Sequence, residues 1–211
     1  MPSFEEFYML ERILTMKAEK TALILIEFQN DFCKEGGKLF GTVKKEIARN
    51  NTLKNAVRLL DGTRKKGGKI IHCPFILDRT WASSKDGLLK ALADGDVFAP
   101  NSWGGKIIDE LKPLNDEIVL QGKCCISAFE HTNLATILFE LGIENVVVAG
   151  FLTNICVQAT AWGAYDLGFH TRIIPDSCGA ASQGIQEFVE REICPIFGSV
   201  PTVDDFLVEL E

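Results

Sequence analysis

The sequence predicts a doubly wound, three-layer α/β/α domain of Rossmann-like type, with a mostly parallel sheet of about six strands. Three observations predict it. Short apolar runs rich in Val, Ile and Leu alternate with longer amphipathic stretches along most of the chain. The runs are near-continuous instead of alternating with polar residues, the pattern of strands buried on both faces. The stretches between them are long enough for crossover helices, which are right-handed in such sheets.

Taken in order, residues 1–18 come first. Phe4, Phe7, Tyr8, Leu10, Ile13 and Leu14 fall mostly at helical spacing, so this segment reads as an amphipathic helix. It packs on its own domain or on a sister subunit, with a substrate lid as the sharper alternative. Residues 19–211 form the main domain. Its apolar runs are Ala22–Ile26, Lys69–Phe75, Glu117–Leu120, Asn145–Ala149 and His170–Ile174. Helical segments are expected near Val43–Lys66, Trp103–Leu111, Thr132–Leu141, Asn154–Leu167 and Gln183–Ile193. Cys33–Thr42 and Leu77–Asn101 fit neither pattern and read as long loops with partial helix, which in compact domains are often functional.

Composition narrows the function. A 211-residue chain with 46% hydrophobic and 24% charged residues is an ordinary globular sequence. Its net charge of −7 argues against nucleic acid or an anionic membrane as main partner, because both need clustered Lys and Arg. The acidic balance favours solubility and says little about a small-molecule substrate. The seven cysteines are odd in number and lack a C-x-x-C pair, so neither a disulfide framework nor a zinc site is indicated. No signal peptide or membrane span is legible, and a reducing, cytoplasmic setting is expected.

In open parallel sheets ligands bind beyond the carboxyl ends of the strands. That rule selects Glu27, the Cys73–Phe75 stretch, Lys123 and the Gly150–Cys156 segment: an acid, a base and thiols at one edge. Cys156 follows a strand, a glycine turn and the helix-start residues Thr153 and Asn154. A thiol in a first helical turn faces free N–H groups that favour a thiolate and can hold an oxyanion, worth about 3 kcal/mol per donor. The plainer alternative is a small buried cysteine. Lys123 can lower a thiol pKa, or simply snorkel to the surface. Glu27 ends the interior run LILIEF and needs a cation such as Lys123, for catalysis or as a structural ion pair. The histidines, His72, His131 and His170, lack ligand spacing, and no metal or other cofactor is expected.

These segments are also familiar together. LILIEFQNDF (23–32), NSWGGKIIDEL (101–111), GKCCISAFEHTNL (122–134), AGFLTNICVQATAWGAYDLGF (149–169) and IIPDSCGA (173–180) resemble the isochorismatase-like cysteine hydrolases, over about residues 20 to 200. The resemblance implies Cys156 as nucleophile, Lys123 as support of its thiolate and Glu27 as the acidic member. It also implies a cis peptide between Phe151 and Leu152, an oxyanion hole from the Leu152 and Cys156 N–H groups, and assembly as a homodimer or tetramer. The implied reaction is hydrolysis of a C–N bond in a small amide, carbamoyl or ureido compound through a thioester. Glu27 stands where the family usually has Asp and reaches one methylene further. The nicotinamidase metal-ligand segment is missing: around Ile70–Asp78, His72 stands alone. Phe32, Arg79, Trp81, Phe129 and Phe151 are candidates for shaping the substrate pocket. Two rival readings share the scaffold: vinyl ether hydrolysis of the isochorismatase type, and a non-catalytic oligomeric binding protein.

Overall fold

The computed structural model describes residues 16–211. The expected N-terminal helix falls almost wholly on residues 1–15 and lies outside the described residues. Of that segment, Met16 and Ala18 are buried in the core, and Met16 is bridged in parallel to Leu210.

The sheet is parallel throughout, with strands β1 (Thr21–Ile26), β2 (Lys69–Cys73), β3 (Ile118–Val119), β4 (Asn145–Phe151) and β5 (His170–Gly179) in the order β3-β2-β1-β4-β5. Each strand grows from one of the apolar runs. All six residues of β1 are buried, as a central strand covered on both faces requires. Burying each of its Leu and Ile side chains contributes about 1.5–3 kcal/mol. Among the described residues the sheet has five strands, against the about six that the sequence predicts. After β5 the chain carries Pro195 and Pro201 and makes a helical turn at Cys194–Phe197, so no further extended run reaches the sheet.

Nine α-helices lie among the described residues: α1 (Asn30–Cys33), α2 (Phe40–Asn50), α3 (Thr52–Lys66), α4 (Arg79–Ser83), α5 (Leu88–Asp94), α6 (Leu134–Glu140), α7 (Gln158–Asp166), α8 (Gln183–Phe188) and α9 (Val203–Glu209). The helix expected over Val43–Lys66 is two helices, because Asn51 takes a left-handed conformation (φ 52°) that ends α2. Leu77–Asn101 holds α4 and α5, the first capped by Asp78, whose Oδ1 accepts from the Trp81 N–H at 3.0 Å. α9 opens on a capping box between Thr202 and Asp205.

Trp103–Leu111 is not the expected helix. Only Asp109–Leu111 forms a 3₁₀ turn. The physical reason is competition for its backbone: Asn30 Nδ2 donates to Trp103 O at 2.8 Å, and Gln29 Nε2 donates to Gly105 O at 2.8 Å. These bonds strap the segment across the end of β1 as a loop.

Candidate active site

Strand order reverses around β1, since β2 and β3 lie on one side and β4 and β5 on the other. The carboxyl ends of β1 and β4 therefore flank the topological switch point. Glu27 leaves β1 and Phe151–Cys156 leaves β4 at that place. Gly150 makes the close approach possible: it has φ 135°, and a Cβ there would lie 2.0 Å from Ile26 O.

Each reactive side chain is aimed by its backbone. Glu27 has φ 57°, a left-handed conformation that costs a non-glycine residue about 1–3 kcal/mol and persists only where the surroundings enforce it. Its N–H bonds Cys73 O at 3.1 Å, and Gln29 N bonds Glu27 O at 2.7 Å, so the turn is held from both sides. The carboxylate thereby points inward and remains 2% exposed. Lys123 arrives along the segment following β3, with its carbonyl accepting from Ile76 N at 3.0 Å. Its side chain is fully buried, bonds Glu27 Oε1, donates to Cys125 O at 3.1 Å and sits 4.6 Å above the Phe75 ring.

Cys156 lies in a single π-type turn, Thr153–Val157, that leads into α7. Neither Thr153 nor Asn154 caps it, contrary to the sequence expectation. Leu152 is the capping position, and its carbonyl accepts from Ile155 N at 3.0 Å and Val157 N at 3.2 Å. Thr153 is engaged elsewhere, its Oγ1 donating to Gln186 Oε1 at 2.6 Å, which ties the nucleophile turn to the end of β5. The Phe151–Leu152 peptide is cis. Thr160 of α7 accepts from Ala128 N at 3.0 Å and so fastens the lysine-bearing loop to the cysteine-bearing helix.

Three side chains from distant parts of the chain thus meet at one rim of the sheet. The Cys156 thiol shares its cavity with the Glu27 carboxylate, which is paired with the Lys123 ammonium, and both charges act on the sulfur. Burial, reinforced by the negative Glu27, pushes the thiol pKa well above the ordinary value, against the pull of Lys123. The resting sulfur is therefore a protonated thiol facing a carboxylate. Burial works against the charge on Lys123, yet the Glu27 carboxylate leads the contributions that more than offset it and hold its pKa above the ordinary lysine value. Cys73 also feels this pair, but it is fully buried, with its pKa pushed up to about 12 by burial. Cys156 instead opens on a cavity of about 230 Å³ that Glu27 shares.

The other candidates divide. Phe32 lines that cavity. Phe151 is buried behind it, stacked on Phe32 at 5.3 Å between ring centroids. Arg79, Trp81 and Phe129 do not line it. Arg79 lies 3.6 Å from Asp96 and is largely exposed, Trp81 packs on His131 and Lys85, and the Phe129 ring lies against Gly163 of α7. Their sequence positions close to the site do not place them in it: Trp81 and Phe129 pack against the core beside the cavity, and Arg79 turns to solvent. Cys124 and Cys125 are partly exposed neighbours of Lys123, outside the cavity.

Two positioning residues escaped the sequence reading. Gln29 is fully buried: its Nε2 reaches Phe75 O at 2.9 Å, and its Oε1 accepts from Phe75 N at 2.8 Å. Asp31 accepts from Lys38 N at 3.1 Å and Phe98 N at 2.8 Å. Together they pin the loops that wall the cavity. The available signal was a polar triplet, Gln29-Asn30-Asp31, directly behind a strand that is buried throughout.

A parallel α/β sheet with a thiol, an ammonium and a carboxylate at its switch point is the architecture of a cysteine hydrolase. The chain belongs to the isochorismatase family, whose Isochorismatase domain matches residues 21–205. Among curated proteins it is similar to the ureidoacrylate amidohydrolase RutB of Rhizobium rhizogenes, 27% identical over 208 residues covering 92% of this chain and 84% of that one. Among solved structures it is similar to an isochorismatase-like hydrolase from Alkaliphilus metalliredigens, with a TM-score of 0.74, 25% identity, and coverage of 91% and 97% of the two chains. A cysteine hydrolase from Pseudomonas syringae pv. phaseolicola shares the fold, with a TM-score of 0.80 at 20% identity and coverage of 92% and 94%.

Proposed function

We propose that this chain hydrolyses a C–N bond in a small amide, carbamoyl or ureido compound through a thioester on Cys156. The observation that carries the reading is a buried carboxylate, Glu27, that is paired with Lys123 and shares one cavity with the Cys156 thiol. The family membership and the amidohydrolase activity named for the Rhizobium relative support the same chemistry.

Glu27 takes the thiol proton as Cys156 attacks the carbonyl carbon. Lys123 keeps its charge at neutral pH and stabilises the Glu27 carboxylate before the proton moves and the thiolate after it has left sulfur. The oxyanion rests on the N–H groups of Leu152 and Cys156. The C–N bond breaks as the leaving nitrogen collects the proton from Glu27. A water molecule, deprotonated by Glu27, then attacks the thioester, and the proton returns to sulfur. No step uses a metal. The extra methylene of Glu27, set against its left-handed backbone, carries the carboxyl to the Lys123 ammonium in the cavity that Cys156 lines. We place the protein in a reducing, cytoplasmic setting as a homo-oligomer.

The test is turnover of small amides and ureas by Cys156→Ala. The variant folds as the parent does and loses thioester chemistry completely, a drop of about 10⁴-fold or more by comparison with removal of other catalytic nucleophiles. Hydrolysis at the parent rate rejects the thiol mechanism.

A further inference from the structure

We infer that the substrate is a small, uncharged amide with an apolar acyl group, and that amides or ureas carrying a carboxylate are discriminated against. This rests on the hydrolase reading above and adds the substrate class. The cavity over Cys156 and Glu27 is walled by Phe32, Leu39, Leu89, Leu92, Phe98 and Ile126. Thr42 is the single uncharged hydroxyl in the lining, and no Lys, Arg or His among the described residues lines it.

A carboxylate entering this space loses its hydration and meets no fork of donors in return. It also approaches Glu27, a like charge. The cations that might have served are engaged elsewhere: Lys123 with Glu27, Lys38 with Asp96, and Arg79 outside the cavity beside Asp96. An alkyl or phenyl group has the opposite balance, because every wall offers it apolar surface. α5 supplies much of that wall. It turns Leu88, Leu89 and Leu92 to the cavity, while Lys90 and Asp94 pair with one another at 2.9 Å on its exposed side. At about 230 Å³ the space lies below the roughly 300 Å³ at which ligand pockets usually begin, so the acyl group is small.

The balanced reaction is RCONH2 + H2O → RCOOH + NH3. Sulfur bonds the acyl carbon as the C–N bond breaks, and the thiol proton leaves with ammonia. Water then replaces sulfur on the acyl carbon and returns one proton to Sγ.

Two near-isosteric probes isolate the charge. 4-Methylpentanamide and succinamate differ by an isopropyl group in place of a carboxylate. With the full-length protein, ammonia release gives kcat/KM about a hundredfold or more higher for 4-methylpentanamide, the scale of an unpaired charge entering an apolar site. Across acetamide, propionamide and butyramide, kcat/KM rises about fourfold per methylene (about 0.8 kcal/mol). Thr42→Arg, which places a cation at the exposed rim, narrows the ratio between the two probes. Equal or faster turnover of succinamate overturns the inference and leaves the hydrolase reading intact. An unchanged ratio in Thr42→Arg overturns the placement of the acyl group in this cavity. Should no amide be turned over, the hydrolase reading fails, and calorimetric binding to Cys156→Ala still decides the substrate class. Tighter binding of 4-methylpentanamide supports it, and equal or tighter binding of succinamate overturns it.

Discussion

Two buried charged clusters flank the third strand, and they are built to opposite ends. Before β3, Glu117 is clamped by Arg64, whose Nε and Nη2 reach its two oxygens at 2.6 and 2.9 Å. It also accepts from Leu114 N at 2.9 Å and lies 2.9 Å from His72 Nε2. Beyond β3, Glu27 pairs with Lys123 and opens, together with the Cys156 thiol, on a cavity. The first carboxylate has fixed partners for both oxygens. The second has a partner that can give up a proton and a space in which to react. Burial of charge is common to both and so does not identify a site. What distinguishes the second is a titratable thiol beside it and an apolar cavity that both line.

The comparison is broken most forcefully at Lys123. Lys123→Met leaves Glu27 as an uncompensated buried carboxylate and lowers stability by about 3–5 kcal/mol. Turnover is lost with it. The double variant Lys123→Met/Glu27→Leu recovers that stability, because a well-packed apolar pair often replaces a buried ion pair without loss. It remains inactive. Urea denaturation and ammonia release on the same preparations check both arms. A double variant as unstable as the single one would mean that the pair is structural.

A smaller effect is expected before β3. Glu117→Gln gives up a charge-assisted bidentate contact and costs about 1–3 kcal/mol, with kcat changed by less than about twofold, since nothing in that cluster touches the cavity. The pH dependence has a definite sign. Burial opposes its charge, but Arg64, Leu114 N–H and His72 more than compensate and hold Glu117 down to about 2 from 4.5. Its stabilising contribution is therefore complete above pH 4.5 and fades as pH falls toward 2. Acid titrations of stability should show that loss in the parent and not in Glu117→Gln.

The smallest effect sharpens the site itself. Burial and Glu27 raise the Cys156 pKa well above 9.0, so above pH 9.0 the unfolded chain releases a proton that the folded chain keeps. Stability then falls with rising pH, by about 1.4 kcal/mol per pH unit for this thiol. Cys156→Ser removes that contribution, and the alkaline slope of its unfolding free energy becomes shallower by the same amount. Identical slopes would place the resting sulfur as a thiolate.

Much of this was legible in the residues. The parallel sheet could be read because its strands are continuous apolar runs, and a strand buried on both faces leaves no polar alternation to confuse it. Glu27, Lys123 and Cys156 could be read because the carboxyl-end rule converts strand order into a shared edge. The Trp103–Leu111 segment misled because its helical spacing is local, whereas Gln29 and Asn30 claim its carbonyls from far away. Arg79, Trp81 and Phe129 misled for a related reason, since closeness along the chain fixes neither side-chain direction nor cavity shape.

By itself the sequence determined the layer architecture and the sheet edge at which Glu27, Lys123 and Cys156 gather, because periodicity and strand ends are properties of short stretches. Only the tertiary structure decided that Glu27 leaves its strand left-handed, that α5 forms an apolar wall, and that no cation lines the cavity among the described residues. Those outcomes depend on which segments pack against which, and hydrogen bonds such as Gln29 to Phe75 and Thr160 to Ala128 join positions that no local pattern relates.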